Sequence, residues 1–316
     1  MKYFFGWVAF FAFLIILVPL CINMRFSDER SVEDFLSGDD IQVYFASEDK
    51  VVSMKTEEYI RGVLMAEMPA EFELEALKAQ AVAARTYMAE KIVGESEDKE
   101  HRGAQVCTDS SHCQAYITDE EAKDKWGKNA SLYFKKCKNA VKETSGVIAV
   151  YNNEPIKAVF HSVSGGRTEN ASDVWGGELV YLKSVSSPGE ESAPKYKTEA
   201  EYSLEEFKKR LTKEYNTDFS KGLLGEITRT EGGSVKTIEI GSCVLKGTDV
   251  RRIFDLSSAD FEIVIDEDVV VFKVTGYGHG VGMSQYGANY YAKEGLDYKE
   301  ILKKYYSGID FAKLGE

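Results

Sequence analysis

Concentrated basic charge is missing from this chain: 39 Lys and Arg are dispersed among 52 Asp and Glu, and the formal charge is −13. A phosphate backbone needs cations gathered on one face, so this balance argues against DNA or RNA as a partner. Internal repeats and low-complexity tracts are also absent, which leaves no basis for a repeat architecture. The Gly-rich loop at 276–288 lacks the G-x-x-x-x-G-K pattern of a phosphate cradle, and no βαβ unit surrounds it, which argues against a dinucleotide site. Ser164 is not flanked as G-x-S-x-G, so a nucleophilic-serine hydrolase has little support. Histidine is scarce: there are four, and two of them fall between residues 101 and 112. What remains is ample apolar content, 44%, enough to close a packed core.

Residues 3–24 carry no charge. About 22 residues at 1.5 Å each give roughly 33 Å, enough to span a hydrocarbon core of roughly 30 Å. No Ala-x-Ala-like cleavage site follows, and Leu20 is a poor fit for lipoprotein cleavage before Cys21. The reading is an uncleaved N-terminal transmembrane anchor over 1–24, a polar linker over 25–40 and a domain over 41–316 outside the cytoplasm. Residues 41–45 and 51–54 read as paired strands, as do 147–151 with 156–161 and 261–265 with 269–274. Helical patterns intervene, so the fold class expected is α+β, a mixed helix/sheet domain with a substrate groove. The stretch at about 189–260 is a candidate separate lobe.

Two helices stand out at 58–92, broken at Pro69. Ile60, Val63 and Leu64 make an apolar stripe on the first, and the next position on that stripe is Glu67. Leu74, Leu77, Ala81, Met88 and Ile92 make the stripe of the second, with Arg85 near its centre. Buried charges are costly unless paired or used. One reading is a structural ion pair between the helices. The other makes Glu67 an acid whose pKa is raised by Val63, Leu64, Met65 and Met68.

The spacing His101-x5-Cys107-x4-His112-Cys113 offers four ligands suited to tetrahedral zinc, though not in a standard finger pattern. A Cys107–Cys113 disulfide outside the cytoplasm and ordinary surface His with unpaired Cys are the competing readings. Four protein ligands would make the metal structural, whereas three would leave a position for a zinc-bound water. The loops His161-Ser-Val-Ser164-Gly165-Gly166 and 276–288, with His279 and Gln285, read either as tight turns or as places where a polar ligand approaches the backbone.

Taken together, the Ala-Glu-Met-Pro around Glu67, residues 161–170, Asp173-Val-Trp-Gly176 and the run Gly-His-Gly-Val-Gly-Met-Ser-Gln-Tyr-Gly ending at Gly287 resemble the stage II sporulation protein D family, whose relatives include amidase enhancers. The resemblance implies a peptidoglycan lytic transglycosylase, active during forespore engulfment on glycan strands stripped by an amidase. The implied partners are the stage II sporulation proteins P, the amidase, and M, a membrane scaffold. It also implies Glu67 as the catalytic residue. Arg85 is then expected to position Glu67 or bind substrate, and His161, Ser164, Gly165, Gly166, His279 and Gln285 to line the groove. A zinc-dependent wall hydrolase and a non-catalytic, amidase-activating binding module are the alternatives.

Overall fold

The computed structural model describes residues 40–94, 101–220 and 222–314. The expected anchor, and the linker up to Asp40, fall outside the described residues. Among those described, no helix is long and apolar enough to cross a membrane.

The chain opens with an antiparallel pair, β1 (Asp40–Phe45) and β2 (Lys50–Lys55), which leads straight into α1 (Thr56–Glu67). Glu57 and Glu58 in the first turn of α1 suit the positive end of its dipole. The helix stops at Met68, whose N–H donates to Leu64 O, because Pro69 cannot continue the ladder. α2 (Leu74–Val93) follows. One buried stripe is expected for it, yet burial runs almost all round: Ala79, Gln80, Ala83, Ala84 and Thr86 are as enclosed as Leu77 and Met88. Alanine is small enough to let neighbours close in on every side, so α2 becomes the axis of the main body.

A short strand, β3 (Val106–Cys107), adds to β1 in parallel. After α3 (Asp119–Trp126) and α4 (Ala130–Glu143) come β4 (Val147–Tyr151) and β5 (Glu154–Pro155), turned by Asn152 and Asn153, both at positive φ. The expected hairpin to residue 161 is cut short here. Only two residue pairs form, Val150 with Pro155 and Tyr151 with Glu154. The chain then departs, and β6 (Phe160–His161) pairs elsewhere, in parallel with a strand near the C-terminus.

Beyond α5 (Ala171–Trp175) a second hydrophobic core begins. It is made by β7 (Lys197–Ser203), α6 (Leu204–Tyr215), β8 (Leu224–Arg229), β9 (Val235–Ile240), β10 (Cys243–Lys246), α7 (Gly247–Ile253), β11 (Phe261–Asp266) and β12 (Val269–Thr275). Phe207 stacks on Phe254 at 5.1 Å, and Phe254 meets Phe272 at 4.9 Å. The pairing of 261–266 with 269–274 is as expected, with Phe261 opposite Val274. Because β12 also pairs with β7, this core extends to Thr275, past the lobe limit read from charge.

The chain returns to the main body through the Gly-rich loop, β13 (Met283–Ser284, the partner of β6), α8 (Gln285–Lys293), α9 (Tyr298–Tyr305) and β14 (Asp310–Lys313), which closes on β4. α1, α4, α8, α9 and β4 all pack on α2.

Candidate functional site

Glu67 is the last residue of α1, at the mouth of the turn into α2. The apolar wall expected for it is present, since Val63, Leu64, Met65 and Met68 are all buried. The carboxylate is half-buried and accepts one hydrogen bond, from Ala115 N at 2.7 Å. Burial raises its pKa above the usual carboxylate range, opposed by the Ala115 N–H and the charge of Lys125. Its backbone carbonyl accepts from Gln285 Nε2 at 3.1 Å, which ties the end of α1 to the Gly-rich loop.

Arg85 does not face Glu67. It is fully buried and clamps Glu57 with a fork, Nε to Oε1 at 2.9 Å and Nη2 to Oε2 at 2.6 Å, while Nη1 donates to Val147 O at 3.0 Å. The reason is simple geometry. Two helices folded back across a short turn face each other at equal distances from that turn. Arg85 lies 11 residues into α2, and Glu57 lies 10 residues back from Glu67. Both are about 15 Å along a helix at 1.5 Å per residue. The expected role of Arg85 at Glu67 or on substrate is therefore replaced by a structural pair between the buried guanidinium and a different, partly exposed glutamate.

The four His and Cys converge. Their ligand atoms lie within 4.8 Å of one another. His101 Nε2 is 2.9 Å from His112 Nδ1 and 3.2 Å from Cys113 Sγ, and Cys107 Sγ is 3.5 Å from His112 Nδ1. Tetrahedral zinc with bonds of about 2.0–2.3 Å places neighbouring ligands roughly 3.3–3.8 Å apart. The 3.5 Å contact and the 3.7 Å between Cys113 Sγ and His112 Nδ1 fall in that range. The other two fall a little short of it, so two thiols and two imidazoles need only small side-chain shifts to fit that ion. Cys107 and Cys113 are free thiols, not a disulfide. The local fold explains the convergence. β3 holds Cys107 beside β1, and Asp109 folds the next turn by accepting from Ser111 N at 2.8 Å through its side chain and from Cys113 N at 2.7 Å through its carbonyl. The same segment then runs on to Ala115, whose N–H meets Glu67.

The remaining predicted residues divide. Ser164 is buried, and its N and Oγ donate to Glu190 at 2.6 and 2.8 Å. Gln285 is buried too, and its Nε2 lies 3.1 Å from Glu67 O and 3.3 Å from Gln80 Oε1. His161 is enclosed, with Nδ1 at 3.2 Å from Val281 O, and burial lowers its pKa to about 3. These three hold the loops together rather than face a groove. Gly165 is exposed and Gly166 partly so. His279 is half-buried, its pKa lowered to about 4 by burial and by Arg251, and it opens on a cleft of ≈ 510 Å³. The density of glycine in the last loop serves close packing. Gly282, at φ 73, would place a Cβ 2.1 Å from Val159 O, and Gly278, at φ 120, one 2.7 Å from the His161 side chain.

Two residues escape sequence reasoning. Glu190, almost fully buried, accepts from Ser164, from Ser187 Oγ, and from Ser284 Oγ at 2.6 Å. No periodicity marks it, because it sits in an irregular charged stretch. Trp175 lies in a stretch that carries the resemblance, but only its exposure of 47% sets it apart.

The fold and site thus define an α+β protein with one half-sequestered acid at a helix end, held by a His/Cys-bearing loop. A family model described as "Stage II sporulation protein" matches residues 44–151. The chain is 41% identical to stage II sporulation protein D of Bacillus amyloliquefaciens over 274 residues, 86% of this chain and 78% of that protein. It is 42% identical to the protein of that name from Bacillus subtilis (strain 168), covering 86% of this chain and 79% of that one. It is also 30% identical to the amidase enhancer of Bacillus subtilis (strain 168), over 79% of this chain and 39% of that protein. The chain belongs to the stage II sporulation protein D family.

Proposed function

We propose that this chain is a membrane-anchored peptidoglycan lytic transglycosylase, acting outside the cytoplasm on amidase-stripped glycan strands during spore engulfment. The observation that carries this reading is the state of Glu67. It is raised in pKa by an apolar wall, bound by a single N–H and still partly open. Ordinary glycoside hydrolysis needs two carboxylates, one to protonate the leaving oxygen and one as nucleophile or base. A lytic transglycosylase needs only one. Protonated Glu67 gives its proton to the glycosidic oxygen, the C1–O bond breaks, and the muramyl C6 hydroxyl attacks C1. The Glu67 carboxylate then takes the hydroxyl proton, closing a 1,6-anhydro ring and restoring the acid.

His101, Cys107, His112 and Cys113 would hold zinc, which would supply a structural cross-link with no ligand position left for water. What this chain contributes through that loop is position: Ala115 follows two residues after Cys113 and orients the Glu67 carboxylate. Chelation is expected to lower the melting temperature by several degrees, and activity to fall along with folded protein. Immediate loss of activity with the fold intact would instead favour the zinc-hydrolase alternative.

Stage II sporulation proteins P and M are the proposed partners, as amidase and membrane scaffold. The likeness to an amidase enhancer supports a second reading, a wall-binding activator without its own chemistry. Stripped glycan digested with the wild type and with Glu67→Ala separates the two. Anhydro-muramyl sugars from the wild type alone support catalysis. Their absence from both supports the activator, and their release by the variant at the wild-type rate removes Glu67 from the mechanism.

A further inference from the structure

The ≈ 510 Å³ cleft lies where the two cores meet: Trp175 comes from the main body, Arg251, Arg252, Asp255 and Leu256 from the second, and His279 from the loop that joins them. That volume falls in the range of small-ligand pockets. Trp175 shows 47% of its surface, its ring centroid is 5.1 Å from that of His279, and Lys157 Nζ lies 5.8 Å from its ring. Its helix is pinned across the junction by Asp173, which pairs with Lys236 at 2.9 Å and accepts from Asn170 at 3.1 Å. An indole held open in a concavity is a platform for a flat apolar face.

Arg251 is the second observation. It is half-buried, and among the described residues no carboxylate pairs with it. Only Nε is engaged, donating to Leu256 O at 3.2 Å. Arg252, by contrast, has Glu214 at 3.3 Å, and Asp255 stands exposed at the rim with Arg210 at 3.9 Å. His279, held neutral by its lowered pKa, adds no competing charge. A partly desolvated guanidinium with two free N–H faces is costly unless an anion arrives, and its fork matches a carboxylate. Serving the core does not require it.

We infer that this cleft is a subsite for a carboxylate-bearing sugar, with the pyranose stacked on Trp175 and the carboxylate received by Arg251. The inference rests on the wall-glycan reading and extends it. Removing a stem peptide exposes the lactyl carboxylate of the muramyl residue, so Arg251 becomes the residue that distinguishes stripped strands from substituted ones.

The test uses the full chain carrying Glu67→Gln, so that no strand is cut. Two muramyl oligosaccharides of equal length, one with free lactyl carboxylates and one with those groups amidated, are titrated by calorimetry. The free acid is expected to bind about tenfold more tightly, and that preference to shrink as salt rises from about 50 mM to about 0.5 M. Arg251→Gln should erase the preference, Arg251→Lys should keep part of it, and Trp175→Ala should weaken both oligosaccharides alike. Equal affinity for the two, no binding of either, or a preference unchanged by Arg251→Gln overturns the inference. If Arg251→Gln does not fold, the lysine variant and the salt series decide, and a salt-insensitive preference counts against it. The product assay on Glu67→Ala is independent of this cleft, so loss of the catalytic reading and loss of the subsite are told apart.

Discussion

Glu67 and Glu190 are both carboxylates withdrawn from water, and the protein treats them in opposite ways. Glu190 is almost fully enclosed and takes hydrogen bonds from Ser164, Ser187 and Ser284, with Ser187 in turn 2.7 Å from Tyr305 OH. Glu67 keeps an open side and has one N–H. Burial pushes both pKa values up, but the three serines oppose it at Glu190, where only Ala115 and Lys125 do so at Glu67. A fully enclosed acid whose acceptors are engaged is part of the scaffold, and one with an open side and a raised pKa is a candidate proton donor.

The contrast is broken most forcefully at Glu190. Glu190→Leu strands three hydroxyls and is expected to cost about 3–5 kcal/mol in urea denaturation, with activity lost only as the fold is lost. At Glu67 the expectation reverses. Glu67→Gln keeps an acceptor for Ala115, so stability should stay within about 1 kcal/mol of the wild type, while release of anhydro sugars drops at least about 100-fold.

His161 sharpens the same contrast through pH. Its pKa is lowered to about 3, so the unfolded chain binds the proton first. The stabilisation is complete above its ordinary pKa of about 6.5 and is lost as pH falls towards the folded value. About 2 kcal/mol should disappear between about pH 7 and about pH 5, and His161→Gln should flatten that slope in denaturation curves. Asp260 works against this trend. Burial raises it to about 6, so its contribution is present at low pH and lost as pH rises through that value. The smallest effect is expected at Lys125→Met. Removing that cation lifts the Glu67 pKa further and moves the alkaline limb of the rate profile upward by a few tenths of a unit.

Much of this is legible in the sequence. Pro69 ends one helix and the alanines of 76–89 propagate the next, so both elements fall where propensity puts them. Glu67 is visible as a charge on an apolar stripe, and the candidate metal ligands are visible as four His and Cys donors crowded into 13 residues. The inter-helix ion pair considered for Arg85 does form, but with Glu57 rather than Glu67, because Glu57 lies as far from the turn as Arg85 does. The hairpin expected over 147–161 is cut to two pairs because residues 160–161 pair with β13 instead, and alternation within one segment does not reveal so distant a partner.

By itself the sequence determined which segments could be helix or strand, where the unusual charges lay, and which donors could share a metal, since each follows from local chemistry. Tertiary structure alone decided which charges were spent. Ser164, His161 and Gln285 had the right chemistry for a groove, but packing turned them inward, Gln285 onto the first two helices and Ser164 onto Glu190, and left Trp175 and Arg251 lining the cleft. Burial and partnership depend on residues distant in the chain, and no local pattern records them.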